Sequence, residues 1–269
     1  MKTLVLSGFG LNCERETAYA CKQAGAAGVD VRHISEIYDH GLSLTQYGFL
    51  VLIGGFLDGD DLGGGQACAN RFRYRPVPGG GTFLEELRRF VDGGGLTMGI
   101  CNGFQLLVKL GLLPGNAPIE SPRKVTLSRN ANGRFEDRWV HLTTDQESPC
   151  IFTRGLGNIS LPIRHGEGRV VARETSQLDA LIQDGLVPLR YADSTGSPTE
   201  LYPANPNGSP FGIASMCNPS GTVFGLMPHP EAFHDATSHP QWTRTGHSEG
   251  PGDGLIFFQN AYQYLETRA

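Results

Sequence analysis

Cys101 stands in a pattern that presents a nucleophile. An apolar run from Leu96 to Ile100 precedes it and apolar residues recur at helical spacing after it, which predicts a strand, a sharp turn and a helix. The turn reads Gly-Ile-Cys-Asn-Gly, a nucleophile elbow with cysteine in the place of serine. A thiol at a helix N-terminus has a lowered pKa and can attack a carbonyl carbon. The structural alternative is a small buried thiol at a tight turn.

His229 and Glu231 have the chemistry of the two partners that such a nucleophile needs. An apolar stretch from Thr222 to Met227 predicts a strand, and a proline-flanked histidine and a carboxylate follow it. A cysteine nucleophile requires a base, and the base requires a group that fixes its tautomer. The sequence therefore predicts a catalytic triad of Cys101, His229 and Glu231.

The first half of the chain alternates predicted strands with helices. Strands are expected at Thr3 to Ser7, Val29 to Ile34 and Phe49 to Ile53, and Asn12 is expected to cap the first helix. Apolar strands in β-α-β alternation indicate an α/β fold: a flavodoxin-like, open, mostly parallel sheet with helices on both faces. The carboxyl ends of such strands form the ligand crevice, which places Gly8, Gly55 and Cys101 together.

The second half predicts an antiparallel elaboration of that sheet. Short strands are expected at 124–128, 138–142, 159–163 and 187–191, with a helix at 176–184 and a hairpin formed by 212–215 and 222–227. Asp253 is expected to cap a last helix, 254–265, that docks on the sheet. We interpret residues 1–269 as a single domain.

Two polar stretches lack a strong pattern. The glycine-rich stretch 58–81 contains Arg71, Arg73 and Arg75, and it is interpreted as a surface loop or as a functional lid or docking loop. The stretch 233–252 contains three histidines whose spacing fits no metal-ligand motif, so we interpret it as a mobile loop.

Composition excludes several classes of function. The net charge of -5 and the absence of a polybasic run offer no basis for binding nucleic acid or an acidic membrane. The six cysteines show no paired spacing, so neither disulfides nor a structural metal are expected. We expect no signal peptide, no membrane span and a cytoplasmic location.

The combined motifs resemble the class I (triad) glutamine amidotransferases. Gly99 to Gln105 and Pro228 to Glu231 carry this resemblance. Further segments resemble one branch of the family, the glutaminase part of phosphoribosylformylglycinamidine synthase; they are 12–17, 54–56, 59–63, 130–138, 165–168 and 199–208. One departure is Ala232, where the family commonly has arginine after the triad glutamate.

The resemblance implies roles for further residues. The backbone N–H groups of Phe56 and Asn102 would form the oxyanion hole, and Gly55 and Gln105 would help to hold glutamine. The segment with His165 and Glu167 would lie against the amino-acid end of the substrate. No metal is expected.

The resemblance also implies the reaction and its partners. The chain would hydrolyse glutamine to glutamate and deliver ammonia to an ATP-dependent synthetase that makes formylglycinamidine ribonucleotide from formylglycinamide ribonucleotide in purine biosynthesis. A small accessory subunit would be a further partner in the complex. No cofactor is expected in this chain, because ATP and Mg²⁺ would bind to the synthetase. Three alternatives stay open: an amidotransferase for another synthetase, a stand-alone cysteine hydrolase, and a non-catalytic glutamine-sensing scaffold.

Overall fold

The computed structural model describes residues 1–115, 123–245 and 249–268. The strands are β1 (Lys2–Ser7), β2 (Val29–His33), β3 (Tyr47–Leu52), β4 (Leu96–Ile100), β5 (Val125–Arg129), β6 (Glu136–Thr144), β7 (Ile159–His165), β8 (Glu167–Ala172), β9 (Leu189–Ala192), β10 (Ser215–Cys217) and β11 (Val223–Leu226). The α-helices are α1 (Glu14–Gln23), α2 (Ser35–Asp39), α3 (Gln66–Tyr74), α4 (Phe83–Asp92), α5 (Asn102–Leu110), α6 (Thr175–Gln183), α7 (Trp242–Thr245) and α8 (Ile256–Glu266).

A six-stranded sheet in the order β10-β11-β4-β3-β1-β2 forms the centre of the fold. All neighbouring pairs are parallel except β10 with β11, which form the expected antiparallel hairpin. Helices cover both faces: Phe224 stacks on Phe257 of α8, whereas the next residue, Gly225, lies against Phe104 of α5. The prediction of an open, mostly parallel α/β sheet is confirmed.

Four strands bring the chemistry to one edge of this sheet. β1, β3, β4 and β11 run in the same direction, so their carboxyl ends lie side by side. Gly8, Gly54, Cys101 and the segment that leads to His229 follow these four ends. The strand ends therefore meet at one edge of the sheet, as the strand pattern predicts.

Two small antiparallel sheets form the elaboration of the second half. One pairs β5 with β8, and the other has the order β7-β6-β9. β8 is not predicted from the sequence, because the glycines at 166 and 168 look like a break in the strand, whereas only Gly166 separates β7 from β8. The backbone N–H of His229 donates to the carbonyl of Pro162 in β7 at 2.8 Å, so a small sheet supports the candidate site.

Part of the stretch 58–81 is helical, and its interpretation as a loop is wrong for residues 66–74. Helix α3 buries Cys68, Ala69 and Phe72, an apolar spacing that the surrounding glycines conceal. Arg71 of this helix pairs with Asp58 at 2.8 Å.

Both predicted helix caps are also wrong. Cys13 is the N-cap residue of α1, and Asn12 accepts a hydrogen bond from its thiol at 3.3 Å. Asp253 lies inside a short 3-10 turn (Asp253–Leu255) that precedes α8. In both places the chain turns into the helix one or more residues later than the capping pattern indicates.

The stretch 233–252 has local structure in the part that the structure describes. It contains a 3-10 turn (Ala236–Ser238) and helix α7. His239 packs edge-on against Trp139 with ring centroids 4.7 Å apart. The third histidine, His247, lies outside the described residues. No helix in the described part of the chain is long and apolar enough to cross a membrane.

Candidate active site

The elbow holds Cys101 in a strained backbone conformation between β4 and α5. Its φ of 52° and ψ of -104° are rarely adopted by a residue with a side chain. The flanking glycines permit the close packing that this turn needs, because a Cβ at Gly103 would lie 2.0 Å from the carbonyl oxygen of Leu52. A Cβ at Gly99 would lie 2.6 Å from the Gly103 carbonyl. The strain and the packing both serve to present one thiol at the sheet edge.

His229 and Glu231 form a tightly paired dyad beyond the end of β11. Nδ1 of His229 lies 2.6 Å from Oε1 of Glu231, and both side chains are almost completely buried. This contact orients the imidazole and leaves Nε2 for another group. Among the residues that the structure describes, Nε2 has no hydrogen-bond partner.

Each member of the dyad shifts the pKa of the other through its charge. Burial by itself would lower the pKa of His229, but Glu231 and then the Cys101 thiol outweigh it and raise that pKa well above the ordinary value. Burial would raise the pKa of Glu231, yet the His229 charge and then Arg164 keep it lowered. The pair is therefore set to store positive charge on the imidazole, as a base that accepts a thiol proton must do.

Two thiols lie near His229. Sγ of Cys101 donates towards the backbone carbonyl of Arg164 at 3.8 Å, so this thiol must rotate to give its proton to Nε2. Sγ of Cys13 lies 4.0 Å from Nδ1, the nitrogen that Glu231 already occupies, and burial raises the pKa of Cys13. The geometry favours Cys101 as the nucleophile and leaves Cys13 as a neutral neighbour.

The two backbone N–H groups that are predicted to bind the oxyanion differ in their hydrogen bonding. Asn102 is the first residue of α5, where the first backbone N–H groups have no partner inside the helix. The N–H of Phe56 instead donates to the carbonyl of Gly10 at 2.8 Å. Phe56 must release this bond before it can serve an oxyanion, so its role stays a prediction. Gly55 precedes it with a φ of 139°, a backbone conformation that glycine adopts readily.

Gln105 connects the elbow helix to β8. Its side-chain carbonyl accepts from Nδ2 of Asn102 at 2.8 Å, and its amide donates to the backbone carbonyl of Glu167 at 2.6 Å. The carboxylate of Glu167 accepts from the backbone N–H of Gly64 at 2.9 Å. Gln105 therefore fixes the segment that contains Glu167 against the elbow helix, and its contact with glutamine stays a prediction.

His165 is buried beside the dyad and stays neutral. Burial, and then the charge of His229, lower the pKa of His165 to about 3. Its Nδ1 lies 3.1 Å from Oδ1 of Asn130, whose amide in turn donates to the His165 carbonyl. A histidine with this pKa cannot act as an acid or base near neutral pH.

Asp60 adds a carboxylate that the sequence analysis did not single out as a site residue. It accepts from Nδ2 of Asn102 at 2.9 Å and has a φ of 55°; Asp58 and Leu62 also have positive φ. Burial raises the pKa of Asp60 to about 6; the Asn102 hydrogen bond opposes this rise and the charge of Glu167 adds to it. The loop that contains Asp58, Asp60 and Leu62 therefore holds the Asp60 carboxylate close to that of Glu167, beside the elbow.

The site offers little support for a metal ion. Cys13, His229 and Glu231 have ligand atoms within 4.8 Å of one another. However, the 2.6 Å between Nδ1 and Oε1 is a hydrogen-bond distance, shorter than the roughly 3.3 Å between two ligands of one tetrahedral zinc ion. We interpret this group as the hydrogen-bonded dyad and its neighbour.

Cys13, Asp60 and Arg164 are the residues near the site that sequence reasoning missed. All three lie inside or next to segments that carry the family resemblance, which are 12–17, 59–63 and 165–168. Their positions near strand ends could have identified two of them. Cys13 lies between the end of β1 and the start of α1, and Arg164 lies one residue before the end of β7.

Comparison with protein families and curated proteins gives consistent results. Residues 1–265 match the family described as "CobB/CobQ-like glutamine amidotransferase domain". A phosphoribosylformylglycinamidine synthase subunit PurQ of Dehalococcoides mccartyi is 40% identical over 266 residues, which cover 98% of this chain and 97% of that protein. The PurQ subunit of Methanococcus maripaludis strain C7 is also 40% identical, with the same coverage.

Solved structures agree with this relationship. A chain of the PurLQS structure from Thermotoga maritima superposes with a TM-score of 0.70 at 30% identity, and 98% of each chain is covered. A putative GMP synthase subunit from Thermoplasma acidophilum, with a TM-score of 0.55 at 13% identity, shares the fold.

Proposed function

The chain belongs to the family of CobB/CobQ-like glutamine amidotransferase domains, and from this membership we propose that it is the glutaminase subunit of phosphoribosylformylglycinamidine synthase. The observation that carries the proposal is the elbow cysteine beside a buried His-Glu dyad, in a chain that matches PurQ subunits over nearly its whole length. We further propose that it is one domain, with a continuous core, and that it works in the cytoplasm with its six cysteines reduced.

The proposed reaction uses groups of this chain alone. Cys101 gives its proton to Nε2 of His229 and attacks the side-chain carboxamide of glutamine, which forms a tetrahedral intermediate held by the Asn102 N–H and the released Phe56 N–H. The imidazolium returns the proton to the departing ammonia and leaves a glutamyl thioester. Water, deprotonated by His229, attacks the thioester, so that glutamate leaves and the thiol is restored. This half-reaction needs no metal or organic cofactor.

The ammonia has to reach a synthetase before water protonates it. PurQ relatives are named as subunits of phosphoribosylformylglycinamidine synthase, and the solved Thermotoga maritima structure is named PurLQS. The proposed partner is accordingly the ATP-dependent subunit that converts formylglycinamide ribonucleotide to the amidine, with a small accessory subunit in the complex. ATP and Mg²⁺ belong to that partner.

The function is tested by glutamate release with and without the synthetase. We expect the purified chain to release glutamate from glutamine at a rate that rises strongly when the synthetase, its ribonucleotide and ATP are present. If turnover is fast alone and the synthetase has no effect, the chain serves another acceptor. If glutamine is not hydrolysed under any of these conditions, the scaffold alternative is correct.

Asp60 and Glu167 are proposed to bind the α-ammonium group of glutamine. The charge of Glu167 contributes to the raised pKa of Asp60, and a cation that lies between two half-buried carboxylates stabilises both. We expect Asp60→Asn to raise KM for glutamine roughly 10-fold, the typical effect of losing one charged hydrogen bond, with little change in kcat.

The pH dependence gives a second readout for Asp60. Its pKa is raised to about 6, so the fraction that is ionised falls as the pH drops through 6, and glutamine binding should weaken with it. The Asn variant should lack this contribution to kcat/KM. Asp61→Asn, at the exposed neighbouring position, is the matched control. An unchanged KM in the Asp60 variant would contradict the assignment.

A further inference from the structure

Arg164 contacts both ends of the triad from β7. Its Nη2 lies 3.7 Å from Oε1 of Glu231, and its backbone carbonyl accepts from the Cys101 thiol at 3.8 Å. The same guanidinium lies 3.4 Å from Glu16 of α1 and 3.8 Å from Sγ of Cys13. One side chain therefore joins the start of α1, the end of β7 and the turn that carries the dyad.

Glu231 needs a permanent positive charge nearby. Its side chain is 0% exposed, and a carboxylate buried in this way is costly unless a cation or several donors compensate it. His229 supplies a charge only while it holds the thiol proton, and it becomes neutral each time that proton is passed on. Of the lysines and arginines that the structure describes, only Arg164 lies within 4.0 Å of Glu231.

We propose that Arg164 is a positioning residue that keeps Glu231 ionised through the whole glutaminase cycle and thereby holds the His229 proton on Nδ1. This inference deepens the proposed function, because it concerns the same triad. An ionised Glu231 accepts a hydrogen bond from Nδ1–H and leaves Nε2 as the nitrogen that takes the thiol proton. A protonated Glu231 would lose that control over the tautomer.

The charges around the dyad determine the sign of the effect. Glu231 faces His229 in its own turn, Arg164 from β7 and Cys13 from the start of α1, while Glu16 faces Arg164 from the other side. A cation disfavours protonation of every neighbour, so its removal must favour the protonated forms of Glu231, His229 and the Cys101 thiol together. The lowered pKa of Glu231, to which Arg164 contributes, agrees with this direction.

The test measures how fast iodoacetamide alkylates Cys101 as a function of pH, with the Cys101→Ala chain as the background. Iodoacetamide carries no α-ammonium group, so the result does not depend on whether Asp60 binds that group of glutamine. In Arg164→Met we expect the profile to move to higher pH by about one unit and the rate near neutral pH to fall roughly 10-fold. Arg164→Lys should restore most of both, and Glu16→Gln, which keeps the cation, should behave like the parent chain.

The kcat profile at saturating glutamine, with the synthetase present, gives the matching catalytic readout. Its acid limb should move to higher pH in Arg164→Met and not in Glu16→Gln. Equal losses at every pH without a shift, or a lysine variant as impaired as the methionine variant, would overturn the inference and leave Arg164 a packing residue. If the parent chain hydrolyses no glutamine, the proposed function fails, while the alkylation profiles still decide the role of Arg164.

Discussion

Replacing Cys101 by alanine is expected to reduce glutamine-dependent turnover by at least about 10⁴-fold, since the thioester cannot form without the thiol. The residual rate would come from binding and the oxyanion donors alone. Turnover of the complex with added ammonia should stay near the parent rate, because that reaction bypasses the glutaminase. Glutamate release and amidine formation, measured side by side with glutamine and then with ammonia, check both parts.

Cys13→Ala is the matched control, because it removes the other thiol beside His229. Its Sγ lies near Nδ1, which Glu231 occupies, and the raised pKa of Cys13 keeps it protonated. We expect this variant to keep activity within a few-fold of the parent. If Cys13→Ala were inactive and Cys101→Ala active, Cys13 would be the nucleophile and the assignment of the elbow cysteine would be wrong.

Replacing His229 by asparagine should lower kcat by about 10³- to 10⁴-fold, with a smaller effect on KM. Asparagine retains some hydrogen-bonding capacity but cannot take the thiol proton. Alkylation of Cys101 should also slow near neutral pH, because an imidazolium beside the thiol favours the reactive thiolate. Cys101 is in turn among the groups that raise the pKa of His229.

His165→Asn separates this effect from the loss of any buried histidine near the site. His165 has a pKa of about 3 and is neutral at working pH, so it carries no proton in the reaction. Its removal should change kcat by far less than the loss of His229, although the hydrogen bond with Asn130 makes some loss of stability expected. Comparable losses of kcat in the two variants would refute the assignment of His229 as the base.

The parts of the fold that depend on local pattern could be predicted from the sequence. The elbow could be predicted because an apolar strand, two glycines and an apolar helix follow one another without interruption. The proline-flanked histidine could be predicted because it directly follows the apolar pattern of β11. Strands with apolar residues on both faces indicate a parallel sheet, and the parallel sheet then places Cys101 and His229 at one edge.

What could not be predicted depends on contacts between distant segments. Arg164 looks like an ordinary surface cation until β7 places it beside Glu231, and Asp60 looks like part of a polar turn until Asn102 donates to it. Helix α3 was concealed for another reason: the glycines around it dominate the local composition, although its three buried residues have helical spacing. Burial and charge pairing, unlike periodicity, are not properties of a short window of sequence.

The bond between the Phe56 N–H and the Gly10 carbonyl has a consequence for how the cell uses glutamine. In the proposed mechanism, a tetrahedral intermediate that forms while this bond is intact finds one donor instead of two, and the loss of one donor typically slows such a reaction about a hundred- to a thousandfold. We expect a chain in this state to leave glutamine nearly untouched. Under that mechanism, release of the glutamine nitrogen requires the Phe56 peptide to turn its N–H away from Gly10, and a subunit that keeps the bond does not deplete the glutamine of the cell.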